Sequence, residues 1–243
     1  GSETEPITFT SYADSGPGQW GGILFDGGSG HLSHATVRYG GYYYGSGSAN
    51  VAIMGGTGGE VVIEDSQIES SSSDGVLVAN YNGNVVIENS RIAEVSQIGL
   101  SVINYNPVDV TCATEGGGSS RVVVQNTPIE GSGSYPLRIN ASYMHCLQMT
   151  DVPMSGNALE KIWLEGGVLA QDTTLAYSVD IMTDHLTVPE GVTLVVNPGT
   201  TVMGHYNQLI VRGYLDAVGS ETEPITFTSY ADSGPGQWGG ILF

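Results

Sequence analysis

Apolar and polar residues alternate along this chain in short runs, with almost no helical period. Three to five Val, Ile, Leu or Thr residues are followed by clusters of Gly, Asn, Asp and Ser, a pattern that predicts many short strands. The middle of the chain aligns on itself. Glu60–Tyr81 (EVVIEDSQIESSSSDGVLVANY) and Asn84–Tyr105 (NVVIENSRIAEVSQIGLSVINY) match without a gap, Glu60 falling on Asn84 and Tyr81 on Tyr105. Arg121–Asn140 continues the series after an insertion, and Cys146–Leu164 is a weaker copy.

Strand side chains alternate between two faces, so the aligned columns separate inside from outside. Val61, Val85, Val122 and Leu147 form one apolar column, and Ile63, Ile87, Val124 and Met149 the next. Ile68, Ile92, Ile129 and Met154 form a third, Val76, Leu100, Leu137 and Ile162 a fourth, and Val78, Val102, Ile139 and Leu164 a fifth. Between the last two lies a variable column, Leu77, Ser101, Arg138 and Trp163, expected to face outward. A corner column holds Asp65, Asn89, Asn126 and Asp151, with His34 in the matching place upstream; Asn and Asp suit tight corners and bond to nearby backbone. Three strands per coil, with equivalent strands stacked about 4.8 Å apart, predict an all-β fold, a parallel β-helix solenoid.

A second repeat has a far longer period. Gly1–Phe25 returns unchanged as Gly219–Phe243. Residues 1–243 are therefore expected to form a single continuous β-helix of about nine to ten coils, comprising one 218-residue unit plus a 25-residue overlap. No capping helix is evident in either copy. Gly1–Phe25 and Gly219–Phe243 are accordingly the candidate assembly segments, where neighbouring copies join head to tail, either covalently or by stacking.

Leu186–Gly204 (LTVPEGVTLVVNPGTTVMG), the WGGILF of Trp20–Phe25 and the LSHATVRYGG of Leu32–Gly41 resemble right-handed parallel β-helix repeats of bacterial and archaeal cell surfaces, within the pectate-lyase-like solenoid superfamily. The resemblance implies a right-handed helix and a surface-protein setting, but no particular activity, because such helices host both lyases and inert stalks. Relatives commonly open the helix with the LTVPEGVTL-type segment. The natural unit is then expected to start near residue 170 and to run through 243 before continuing as 26–169.

Composition narrows the partners. Formal net charge is −19, with 25 Asp and Glu against 6 Lys and Arg, which argues against nucleic acid or an anionic membrane. The apolar runs are too short to span a bilayer. An acidic, Lys-poor surface leans towards an extracellular location. Cys112 and Cys146 fall in the same corner one coil apart, a geometry that suits a disulfide.

Candidate chemistry is sparse. Lyase sites on similar helices use clustered acids for calcium and an Arg or Lys as base, and this chain has acids but almost no base. Glu64 and Glu88 stack on one exposed face and read as solvated strand positions. No catalytic residue and no required cofactor is expected. Asp172, Asp180 and Asp184 are weak calcium candidates that match no defined loop. Tyr42, Tyr43, Tyr44 and Trp163 are candidate contacts for cell-surface glycans or a neighbouring fibre, and Asn140 heads the one glycosylation sequon. The favoured expectation is a structural repeat unit of an extracellular filament, stalk or adhesin shaft. A carbohydrate-binding or polysaccharide-degrading β-helix is the alternative.

Overall fold

The computed structural model describes residues 1–42, 48–55, 59–103 and 121–243. The chain forms two compact units, Gly1–Leu137 with Cys146–Glu160, and Arg138–His145 with Lys161–Phe243.

In the first unit the strands visit three parallel sheets in fixed rotation. One sheet holds Ile7–Phe9, Ala35–Arg38, Gln67–Glu69, Arg91–Ala93 and Ile129–Glu130. A second holds Ile23–Asp26, Ala49–Met54, Asp74–Ala79 and Leu100–Ile103, and a third holds Gly30–Ser33, Glu60–Glu64, Asn84–Glu88, Val122–Gln125 and Leu147–Thr150. The stacked parallel ladders agree with a β-helix solenoid. The registers match the sequence columns: Val61 pairs with Val85, Val85 with Val122, Val122 with Leu147, Ile68 with Ile92 and Ile92 with Ile129. Val61, Ile63, Val85, Ile87, Ile68, Ile92 and Ile129 are fully buried.

Corners make the rotation possible. His34, Asp65, Asn89, Asn126 and Asp151 all have φ between +47° and +52°, the left-handed region that turns the chain sharply. Asn126 Nδ2 donates to Asn89 Oδ1 at 3.2 Å, so the amides do bond along the stack. The next residue of each corner adds an inner ladder. Ser66 and Ser90 donate their hydroxyls to the carbonyls of Glu64 and Glu88, and Thr127 does so to Gln125. The same oxygens accept from the coil before: Ala35 N–H to Ser66, Ser66 N–H to Ser90, and Ser90 N–H to Thr127. A second corner stack, Tyr39, Ser70, Glu94 and Gly131, also has positive φ and was not evident from the sequence.

One expectation is corrected. Leu77 and Ser101, assigned to an outward column, are buried. Leu77 packs with Ala49, Ala79, Ile103 and Met54, and Ser101 Oγ donates to Asp74 Oδ2 at 2.7 Å. Ala49–Met54, Asp74–Ala79 and Leu100–Ile103 are thus buried on both faces, so period-two alternation does not separate inside from outside there, whereas Ile23–Asp26 still alternates. Met154, placed in an inward column, lies outside any strand and is half-buried.

In the second unit, Ile162–Val168, Val179–Val188, Thr201–Gly204 and Thr226–Ser229 pair in parallel succession. Thr173–Leu175, Thr193–Val196 and Tyr214–Ala217 form a separate parallel sheet. The turns at Pro189 and Asn197 close as their sequences predict: Val192 N–H donates to Pro189 O, Thr200 N–H donates to Asn197 O, and Gly191 and Gly199 take positive φ. Val179, Ile181, Leu186, Val188, Leu194 and Leu209 are fully buried here.

Candidate functional site

The duplicated segment folds the same way twice. Thr10 Oγ1 donates to Asp14 Oδ1 at 2.6 Å, and Thr228 to Asp232 at 2.5 Å. Ser11 Oγ and Ser229 Oγ donate to Gln19 and Gln237, and the Asp14 and Asp232 amides donate back to those serines. Asp14 and Asp232 share φ values of 45° and 40°. Identical sequence thus gives the same turn in two different surroundings, while the strand limits differ: Ile7–Phe9 in the first copy and Thr226–Ser229 in the second, where Thr226 corresponds to Thr8.

What differs is the neighbour. The first copy pairs only with sequence that follows it: Ile7–Phe9 lies against Ala35–Val37, and Ile23–Asp26 against Val51–Met54. The second pairs only with sequence that precedes it: Thr226–Ser229 lies against Thr201–Gly204, and Ile241–Leu242 against Leu209–Ile210. Each copy is a sheet edge among the described residues. Apolar residues are exposed along both edges, with Ile7 at 47%, Leu24 at 59%, Leu242 at 51% and Phe243 at 83%. Phe9 and Phe25 are only half-buried, although the residues stacked on them, Val37 and Ile53, are fully buried.

Contacts from the first copy to the following coil are specific. Gly18 N–H donates to Gly40 O, Gln19 N–H to Tyr39 O, and Ile7 N–H to His34 O. Trp20 Nε1 donates to Arg38 O at 2.7 Å, and Arg38 pairs with Asp14 at 2.5 Å. The hydrogen bond from Arg38, helped by that from Thr10, holds the Asp14 carboxyl below its ordinary pKa. Trp238 instead lies over Gly204 and stacks parallel to Phe227 at 6.4 Å, and its Nε1–H is buried without an acceptor.

A polar centre in the second unit escaped the sequence reading. Lys161, the only lysine, pairs with the fully buried Asp180 at 3.3 Å and lies 5.1 Å from the centre of the Tyr230 ring. His205 stacks on Tyr230 at 3.9 Å, and burial lowers its pKa against the opposing pull of Asp180. Close by in sequence, buried Glu165 accepts from Arg138 and Thr183, and the Arg138 guanidinium sits 4.6 Å over Trp163. Trp163 is thus half-buried under Arg138 rather than offered freely as a contact.

The calcium candidates go separate ways. Asp172 accepts from Thr193 N–H, Asp184 from His185 N–H, and Asp180 faces Lys161. Among the described residues no group of three or more His, Cys, Asp or Glu is placed to hold a metal ion. Glu64 and Glu88 stack in register as expected, and His31 bonds to Glu64 at 2.9 Å, depressing the Glu64 pKa. Tyr42 is exposed, while Tyr43 and Tyr44 lie outside the described residues. Asn140 ends a strand and is half-buried. Cys146 is buried and no free cysteine occurs among the described residues; its expected partner Cys112 lies outside them. Among the described residues no helix is long and apolar enough to cross a membrane.

Comparison with protein-family models, with curated proteins and with solved structures gives no match for this chain.

Proposed function

We propose that this chain is a structural repeat of an extracellular, cell-surface filament, stalk or adhesin shaft, built as a right-handed parallel β-helix that continues end to end. The observation that carries this reading is the duplicated segment: one 25-residue sequence that occurs twice, builds the same turn each time and stacks in parallel on a neighbouring coil. At about 24 residues per coil, a 218-residue period corresponds to roughly nine coils and a rise on the order of 45 Å per repeat. The role is mechanical, with stiffness coming from stacked apolar columns and the corner ladders. A Cys112–Cys146 disulfide is part of the proposal and fits an oxidising compartment.

The test is the denatured, reduced mass of native material. Tandem repeats predict a species far above the 25.4 kDa of this chain. A thiol titration of the unreduced protein is expected to find no free cysteine. Native material no heavier than this single chain, with a titratable thiol, would instead fit a separate, intracellular subunit.

A further inference from the structure

The two glycines of the WGG motif each answer to a different neighbour. In the first copy a Cβ on Gly22 would strike the carbonyl oxygens of Ala49 and Asn50, in the following coil, while Gly21 has open space around it. In the second copy the roles are exchanged. A Cβ on Gly239 would come within 2.6 Å of Asn207 O, in the preceding coil, while Gly240 meets nothing within 4 Å. Gly18 likewise meets Ser72 in the first copy, and its counterpart Gly236 meets nothing. In a coil with one neighbour, contact demands only one glycine of the pair, although Gly22 and Gly240 also take left-handed φ of +90° and +80°, which favours glycine in either setting. A coil with neighbours on both sides needs both.

The hydrogen-bonding groups divide in the same way. In a parallel ladder successive residues bond to opposite neighbours. The Thr226 amide donates backwards to Thr200 O, and the Ile7 amide donates forwards to His34 O. Each copy displays one half of a two-sided pattern. The unused half of the second copy consists of the groups that the first copy uses: the amides of Ile225, Gly236 and Gln237, the Asp232 carboxylate and the Trp238 indole.

Building on the fibre reading, we propose that the open edge of Gly219–Phe243 is the seat for the next repeat of the same chain, residues 26–243 continuing directly after Phe243. Ile225 N–H then donates to the carbonyl equivalent to His34, Gly236 N–H to Gly40 and Gln237 N–H to Tyr39. Asp232 receives the guanidinium equivalent to Arg38, and Trp238, whose indole N–H is now buried against Gly204, turns outward to donate to that arginine's carbonyl as Trp20 does to Arg38. The 25-residue segment is shared at the junction, so repeats meet without a linker. Continuity within one chain is favoured over docking of separate chains for a physical reason. In a separate chain, residues 1–25 already fill the same contacts and would have to be displaced.

The experiment compares this chain with a tandem chain in which residues 26–243 follow Phe243 a second time. Gly219–Phe243 is isotopically labelled by segmental ligation, so that identical copies are distinguishable. Amide hydrogen exchange is read by NMR. The expected result is that exchange at Ile225, Gly236 and Gln237 slows by at least about tenfold in the tandem chain. Gly240→Ala is placed in both chains, so that the strain of a side chain at φ +80° is common to them, and is expected to abolish that gain while amides of Val179–Val188 stay protected, because a Cβ there meets the next coil only when one is present. Unchanged exchange at the three amides overturns the proposal. So does head-to-tail association of the 243-residue chain by itself in light scattering, which would make separate chains the partner. The fibre reading fails on a different result, a native mass no greater than that of the single chain, even if the tandem junction forms.

Discussion

Asn89 turns its corner at φ +48° and accepts the Asn126 amide, so one side chain serves both the bend and the stack. The left-handed conformation costs a typical L-residue about 1–2 kcal/mol, less for Asn and nothing for Gly. Asn89→Val is therefore expected to lower unfolding free energy by about 2–3 kcal/mol, through a β-branched residue in a forbidden region plus a lost ladder bond. Asn89→Gly loses the bond alone and should cost no more than about 1 kcal/mol. Urea unfolding of the two variants checks the order, and equal losses would show that the conformation is not what the corner selects for. This column was legible because Asn and Asp recur at fixed spacing. The adjacent Ser66, Ser90 and Thr127 ladder was equally regular, but a small hydroxyl at a corner looks like an ordinary turn residue until its acceptor is seen. The Tyr39, Ser70, Glu94 and Gly131 corner had no shared side-chain chemistry to reveal it.

At the scale of strands and sheets, inward columns could be read from the sequence because a buried face in a stacked sheet repeats the same residue type coil after coil. The burial of Leu77 and Ser101 could not, since the residue type in that column changes from coil to coil and leaves no repeated signal. The candidate site divides likewise. The repeat itself was written in the duplication, while the contacts of Gly22 and Gly239 with opposite neighbours needed the pairing. The Lys161 centre was illegible for a further reason: Lys161 and Asp180 lie well apart in sequence and share no motif. Their pairing predicts a measurable asymmetry. Lys161→Ala leaves the fully buried Asp180 without its cation and is expected to cost about 3–5 kcal/mol in denaturant unfolding. Replacing both, as Lys161→Met with Asp180→Leu, removes the buried charge as well and should recover most of that loss. A double variant no more stable than the single one would mean that packing, and not charge, dominates the centre.

For the molecule as a whole the surplus of acid is the governing electrostatic fact. Twenty-five acidic residues face six basic ones, and four of those six, Arg38, Arg91, Arg138 and Lys161, are already paired with carboxylates. The remaining negative charge repels itself across distances that salt controls, since the screening length falls from about 30 Å at 0.01 M to about 8 Å at 0.15 M ionic strength. Salt weakens the exposed pairs too, but each of those contributes at most about 1 kcal/mol. Raising NaCl across this range is therefore expected to increase the Tm by roughly 2–4 °C, corresponding to about 1 kcal/mol for a chain of this size. Calorimetry decides the sign: a fall in Tm would mean that the few ion pairs outweigh the general repulsion. Calcium chloride at matched ionic strength extends the measurement. Screening alone gives the NaCl curve, whereas a site occupied by calcium adds a concentration-dependent rise above it. In the proposed junction between repeats the same repulsion would act, with a single arginine facing Asp232 and most other charges alike. Protection of Ile225, Gly236 and Gln237 in a tandem chain should accordingly strengthen with salt, which is the opposite of what an interface held by ion pairs would do.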